Sequence, residues 1–433
     1  MLMHVLLRTW RKYMQKKRFG FASVIAATAL VVSGLLVPSA HASNEIIVWA
    51  DETRGPHLTK LIAAKGDWVP GYTIKIVTFS SYSALGDALA KATGTSGPDI
   101  FVGGNDWVVA SAKTGKLAPV TLTASQKAQF TGGQLYDLSY GGKLYGVPLD
   151  INNVGMIYNT KLVPNAPKTF GDMVDFYKAN KTKLGLKNGL CVTGGGLSWG
   201  GLSVFSALGA DPYIMTPHGK VQTTYRFNPN VFGANMNKYL LDPVTHKSNG
   251  FWASSNTTCN DDFYTGKVPY SIIGNWEWQN YVDRGFAMNL QPVPSVTGGY
   301  GKMFGSVSGA FLTSYAALHG TAVGAKSLLV NLFASTAGQV AYEAIEGRPP
   351  AAKGAQSDPG VSDAQKGFGA AAALSSIPQI GVILGSNAGG SNYWDSSADY
   401  WTQTLINGKD AVVEARKLSK IWNADLAAVA SQL

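Results

Sequence analysis

The 433-residue chain is short of the side chains from which most catalytic centres are made. It has two cysteines, Cys191 and Cys259, with no neighbouring histidine, which argues against a zinc site. Beyond residue 42 only His57, His218, His246 and His319 remain, none at the spacing of a metal-binding helix or a marked nucleophile. Gly194-Gly-Gly and Gly200-Gly201 lack the Lys-Ser/Thr pair of a phosphate cradle, which leaves a flexible ligand loop or a plain turn. Charge is scarce too, 14% of residues, and the net +10 is unevenly placed. Six basic residues precede residue 20 and no Asp or Glu precedes Glu45, so the rest holds 30 basic against 26 acidic residues. That near balance removes the basis for a nucleic-acid or membrane-surface partner.

The early basic residues lead into an uncharged apolar run, 19–38, and then Ala40-His-Ala42. Basic start, apolar middle and small-x-small exit predict a secretory signal peptide over 1–42, cleaved after Ala42, with Met14 as an alternative start. A retained anchor is the competing reading, since spanning a bilayer takes about 20 residues. With no cysteine at the exit, a lipid-anchored N-terminus is not expected; the mature protein should be periplasmic or extracellular. In that oxidising setting Cys191 and Cys259 are expected to form a disulfide. A chain this long exceeds what one core usually serves, so two lobes are expected, and 45% hydrophobic residues suffice to fill them.

Extended apolar runs at 45–49, 72–78 and 99–102 alternate with helical patterns around 57–62 and 82–92. Such alternation predicts a parallel sheet with ligand sites at the carboxyl ends of its strands, which nominates the loops 50–55, 103–107 and 150–153. Further strands are expected at 190–193, 269–273 and 306–314, and a helix at 322–335. Residues 353–367, rich in Gly, Ala, Ser and Asp, read as a surface loop. Two helical patterns after Ser396 are separated by Asn407-Gly408.

The stretch Tyr145-Gly-Val-Pro-Leu-Asp-Ile-Asn-Asn-Val-Gly-Met-Ile-Tyr-Asn159 organises the rest. Pro148 holds its neighbours extended, and Asp150, Asn152 and Asn153 interrupt two apolar segments, either as a polar turn between buried strands or as a site. The continuation Thr160-Lys-Leu-Val-Pro-Asn-Ala-Pro-Lys-Thr-Phe-Gly-Asp-Met173, the run Gly97-Pro-Asp-Ile-Phe-Val-Gly-Gly-Asn-Asp106, Gly274-Asn-Trp276-Glu-Trp278, Ile377-Pro-Gln-Ile380 and Trp394 complete a pattern. It resembles the extracellular solute-binding proteins of sugar ABC importers, the maltose and maltodextrin-binding type.

The resemblance implies an α/β, two-lobe periplasmic-binding-protein fold with a ligand cleft between lobes. About three hinge crossovers are expected, near 149–153, 305–310 and 355–366. The first lobe would hold 43–150 and 306–360, the second 151–305 and 361–433. A carbohydrate and the membrane subunits of an ABC permease are the implied partners of a monomer with no cofactor and no enzymatic activity. The implied ligand-binding residues are Thr53, Arg54, Asp106, Trp107, Asp150, Asn152, Asn153, Trp199, Trp276 and Trp394. Tryptophan suits a sugar because the apolar C–H face of the ring stacks on indole, and a carboxylate such as Asp106 accepts bonds from adjacent hydroxyls. The bland alternatives are core packing for the tryptophans and a helix N-cap for Asp106.

The chain departs from the family at several points. Thr53-Arg54 stands for an Asp-Lys pair, Trp107 for the Arg of an Asp-Arg pair, Asn152 for Glu and Ala398 for Arg. These changes keep the sugar-binding class and put maltose itself in question. Two other function classes stay open on sequence. One is a binding protein of this fold for a non-sugar solute. The other is a carbohydrate hydrolase with a carboxylate pair drawn from Asp51, Glu52, Asp106 and Asp150, which would need a separation of about 5–10 Å. Asn180-Lys-Thr182 and Asn256-Thr-Thr258 match the short glycosylation acceptor pattern.

Overall fold

The computed structural model describes residues 44–432 except 66, 194–195, 217–219, 253–258 and 347. The expected export segment 1–42, Gly194 and the acceptor triplet 256–258 lie outside the described residues. Runs rich in β-branched and aromatic residues form β1 (Glu45–Ala50), β2 (Thr73–Thr78) and β3 (Ile100–Gly104), with β1 between the other two and parallel to both. The helices Arg54–Ala64 and Tyr82–Lys91 alternate with them. A short ribbon, β4 (Ser139–Tyr140) and β5 (Lys143–Leu144), precedes the long strand β6 (Gly146–Asn159). There follow β7 (Leu190–Val192), β8 (Tyr270–Gly274), β9 (Met288–Gln291), β10 (Met303–Leu312) and β11 (Ser376–Pro378). The sheet path runs β2-β1-β3-β10-β6-β8-β7, with β9 paired to β6 and β11 to β10.

Two separate cores explain this path. One gathers Ile46, Val48, Ile100, Val102, Val147, Leu149, Val307 and Phe311; the other gathers Val154, Met156, Leu190, Phe205, Ile272, Phe304 and Trp401. β6 leaves the first core after Leu149 and enters the second at Val154, whereas β10 passes from Phe304 in the second to Val307 in the first. Strands that cross in opposite senses must pair antiparallel, and β10 does so with both β6 and β3. The expectation of a parallel sheet is corrected accordingly: parallel pairing holds from β1 to β2 and β3, between β7 and β8 and between β10 and β11, and the antiparallel pairs of β6 and β10 make the sheet mixed. Polar residues fall where neither core reaches, at Asp150, Asn152, Asn153, Ser306 and Ser308. The β6–β10 register steps there from Ser308 opposite Asp150 to Gly309 opposite Pro148, leaving Leu149 as an extra residue.

Residues 353–367 correct a second expectation. They are not a loop but hold the helix Lys353–Gln356 and the start of Asp363–Ser375, the latter opened by a capping box between Ser362 and Gln365. Cys191 on the edge strand β7 and Cys259 at the start of the helix Cys259–Tyr264 are joined by a disulfide, Cα atoms 5.7 Å apart. Among the described residues no helix is long and apolar enough to cross a membrane.

Candidate functional site

β3 ends in Gly103-Gly104 and turns through Asn105–Trp107. A Cβ on Gly104 would stand 2.1 Å from the Tyr82 hydroxyl and 2.4 Å from the Asp106 carboxylate, so the backbone there can approach only as glycine. Trp107 is half-buried and stacks on Tyr82, ring centroids 4.3 Å apart. Tyr82 donates to Asp106 Oδ1 at 2.7 Å. Asp106 caps no helix; Gly104 occupies the cap position without a side-chain bond. Solvent reaches its carboxylate, yet the enclosing walls push its pKa up against the pull of the Tyr82 hydrogen bond. Burial, then the Asp106 charge, push the Tyr82 phenol far up, which keeps it a donor. Sequence reading passed over Tyr82. It opens the helix after β2, a further strand-end loop that the rule applied to the others would have nominated.

β8 ends the same way, in Gly274 followed by the turn Asn275–Glu277. A Cβ on Gly274 would lie 2.3 Å from the Trp276 indole, so the ring rests directly on bare backbone. Trp276 is 39% exposed and leans on Trp199 at a centroid distance of 5.6 Å. Trp199 is pinned by its Nε1 donating to Gln379 Oε1 at 2.7 Å, and the Gln379 carbonyl accepts from Asn105 Nδ2 at 3.4 Å. Gln379 therefore joins the turn that carries Asp106 and Trp107 to the wall that carries Trp199 and Trp276. Trp394, half-buried, packs against Phe304 at 5.9 Å and Tyr393 at 5.1 Å. Gly196-Leu-Ser198-Trp-Gly200 has the spacing of a hydrolase nucleophile turn, another feature that sequence reading passed over. Ser198 instead lies in the short helix Gly196–Trp199, its hydroxyl donating to the Trp394 carbonyl at 3.1 Å.

Below these groups lies a buried ionic set. Arg54 donates from Nε and Nη2 to the two oxygens of Asp150 at 3.1 and 3.0 Å, from Nη1 to Asp51 at 2.7 Å and from Nη2 to Ser308 Oγ at 2.6 Å. Burial opposes the charge on Asp51, but Arg54, its backbone N–H, Arg348 and Thr53 outweigh it and hold the carboxyl at about 2. Thr53, exposed at the loop tip, accepts from Arg348 Nη2 at 3.0 Å. Asn152, half-buried, donates to Ser308 Oγ at 2.5 Å and Asp150 Oδ1 at 3.3 Å. Asn153 donates to the Phe368 carbonyl at 3.0 Å, and Asn275 to that of Ile151 at 2.6 Å.

The expected site residues thus divide. Solvent reaches Thr53, Asp106, Trp107, Asn152, Trp199, Trp276 and Trp394. Arg54, Asp150 and Asn153 are 3%, 0% and 0% exposed, and their polar groups bond to protein. In this structure these three side chains are paired with protein groups and present little surface, whereas the other seven are reached by solvent. Ser308 and Arg348 enter the set without a local sequence signal strong enough to have marked them, whereas Gln379 lies in the Ile377-Pro-Gln-Ile380 segment that the resemblance singles out. Asp51 and Asp150 share Arg54 as an ion-pair partner. Among the described residues no cluster of three metal-ligating side chains occurs.

Residues 62–369 match the sequence profile of the bacterial extracellular solute-binding proteins. Similar proteins include the maltotriose-binding protein of Pyrococcus abyssi, 25% identical over 51% of this chain and 47% of its own length. The maltodextrin-binding protein of Bacillus subtilis is 22% identical over 66% of this chain and 69% of its own. A galactooligosaccharide-binding protein of the same organism is 22% identical over 60% and 62%. The match thus spans about half the length of the first of these relatives. Among solved structures, a cyclo/maltodextrin-binding protein complexed with maltotetraose superposes with a TM-score of 0.67 over 88% of this chain and 96% of its own, at 21% identity. That likeness gives the two-lobe fold.

Proposed function

The chain belongs to the bacterial extracellular solute-binding proteins, and from that premise we propose that it is an exported receptor for a mono- or oligosaccharide. The sugar lies between lobes 43–150 with 306–360 and 151–305 with 361–433, and the closed form presents it to the membrane subunits of an ABC permease. The family is one of binding proteins rather than enzymes. The observation that carries the reading is the placement of Trp276, 39% exposed and seated on bare backbone at the end of β8. A tryptophan kept out of both cores has ring area to offer a ligand. Trp199 and Trp394 extend this apolar wall, and Asp106, held by Tyr82, accepts hydroxyls from the other side. Relatives named for maltotriose, maltodextrin and galactooligosaccharide support the same class.

Contacts to both lobes exist together only when the crossover segments near 149–153, 305–310 and 355–366 have closed the cleft, so binding shifts an open–closed equilibrium. Export by cleavage after Ala42, without lipid attachment, and action as a monomer complete the reading. The test is a tryptophan-emission titration of the chain from Ser43 with glucose, maltotriose, maltotetraose, a galactooligosaccharide and a polyamine. A saturable change at micromolar concentration with one sugar, recovered uncleaved, is the expected result. Response to the polyamine alone would overturn the sugar reading, and appearance of shorter sugars would make the protein a hydrolase.

A further inference from the structure

We propose that Arg54 is a positioning residue that couples the loop at the head of the first helix to the strands joining the two lobes, and that it sets how far the protein closes on its ligand. The proposal rests on the reading of the cleft as the ligand site. The side chain is 4% exposed, so it acts on a ligand only through other residues. Its guanidinium grips two cross-strand partners at once, Asp150 on β6 and Ser308 on β10, which face each other in the register beside the bulge at Leu149. That point lies between the last residue of one core, Leu149, and the first of the other, Val154.

A third segment joins the same loop. Arg348 donates to Thr53, and the next residue, Pro349, accepts the Ile151 N–H at 2.8 Å while Ala351 donates to Leu149 at 2.9 Å. The four residues 51–54 are therefore bonded to three chain segments at the change of core: β6, β10 and 348–351. Asp51 and Asp150 both pair with Arg54, and Asn152, solvent-reached, bonds to both Asp150 and Ser308. A ligand that pulls on Thr53 or Asn152 pulls on the strand register through the guanidinium fork. Lysine has the charge but a single nitrogen, and cannot hold both Asp150 oxygens, Asp51 and Ser308 in one plane.

The experiment compares wild type, Arg54→Lys and Ser308→Ala. Small-angle scattering is recorded without ligand and with saturating sugar, alongside affinity and thermal melting. Arg54→Lys is expected to weaken sugar binding at least tenfold and to lose most of the ligand-induced decrease in radius of gyration. Ser308→Ala, which leaves both ion pairs in place, is expected to weaken it about threefold and to lose a smaller part of the same ligand-induced decrease, with one cooperative melting transition and ligand-free scattering that differs from wild type. Wild-type scattering and affinity in both variants would overturn the proposal. Weakened affinity with unchanged scattering in both states would also overturn it, since Arg54 would then act on the ligand and not on the hinge. If wild type itself binds no sugar, the sugar reading fails, and ligand-free scattering identical to wild type in both variants would still overturn the role given to Arg54.

Discussion

Trp276 shows how a single residue can be read at two levels. In the sequence it stands in Gly274-Asn-Trp-Glu-Trp278, a glycine-led loop after an apolar strand, where core duty is unnatural. In the structure the ring lies across the Gly274 backbone and leans on Trp199, outside both cores. Trp276→Ala should therefore weaken sugar binding at least tenfold, about 1.4 kcal/mol, without lowering the melting temperature. Calorimetric titration beside circular dichroism checks it, and a large loss of melting temperature would return the residue to the core. Tyr82→Phe is milder. It removes one donor from Asp106 and keeps the stack on Trp107, so affinity should fall by a few-fold and the pKa of Asp106 should rise further, because a bond that favours its charged form is lost. Carboxyl titration by NMR reads that shift directly. Arg54 marks the limit of legibility at this scale. The residue type and loop position gave a donor near the site, but whether a guanidinium faces ligand or turns onto Asp150 depends on a carboxylate 96 residues away in the chain.

At the scale of elements, alternation of strand and helix was readable wherever apolar periodicity was strong, as in β1, β3 and β6. It failed at 353–367, where glycine, alanine and serine give a weak period and the composition imitates a loop. The capping box Ser362…Gln365 was the local signal of a helix start, and the burial of Ala355 and Phe368 supplies the tertiary contacts that sustain these helices. Strand order was not readable, since the antiparallel insertion of β10 between β3 and β6 follows from where the chain changes cores. The disulfide acts on an element too. β7 is a three-residue edge strand, and Cys191 fixes it to the helix Cys259–Tyr264 across 68 residues of chain, with Val268 as the remaining member of that small apolar cluster. The paired substitution Cys191→Ala with Cys259→Ala should lower unfolding free energy by about 2–4 kcal/mol. A denaturant midpoint that is insensitive to both reductant and the double substitution would mean that the bond constrains little in the unfolded chain.

For the whole molecule, buried carboxyls pull stability in opposite directions with pH. Asp51 is held at about 2 against an ordinary 3.8, so its contribution is complete above pH 4 and is lost as pH falls through 2. Asp211 is displaced the other way, to about 6, because burial outweighs Ser206, Lys302 and Tyr225; its Oδ1 has no hydrogen-bond partner. Between pH 4 and 6 the folded protein keeps the Asp211 proton while the unfolded chain gives it up, so stability declines over that window. Glu343 and Asp137, raised well above their ordinary values by burial, act in the same sense. The melting temperature should consequently be highest near pH 4, falling below it through Asp51 and above it through Asp211, Glu343 and Asp137. Asp211→Asn removes one source of the upper decline, and should melt above wild type at pH 7 by an amount equivalent to about 1–3 kcal/mol while matching it at pH 4. Melting curves of the two proteins from pH 2 to 8 are the measurement. Parallel profiles with a constant offset would show that Asp211 carries no proton in the folded state, and that its buried oxygen is satisfied by a donor such as water.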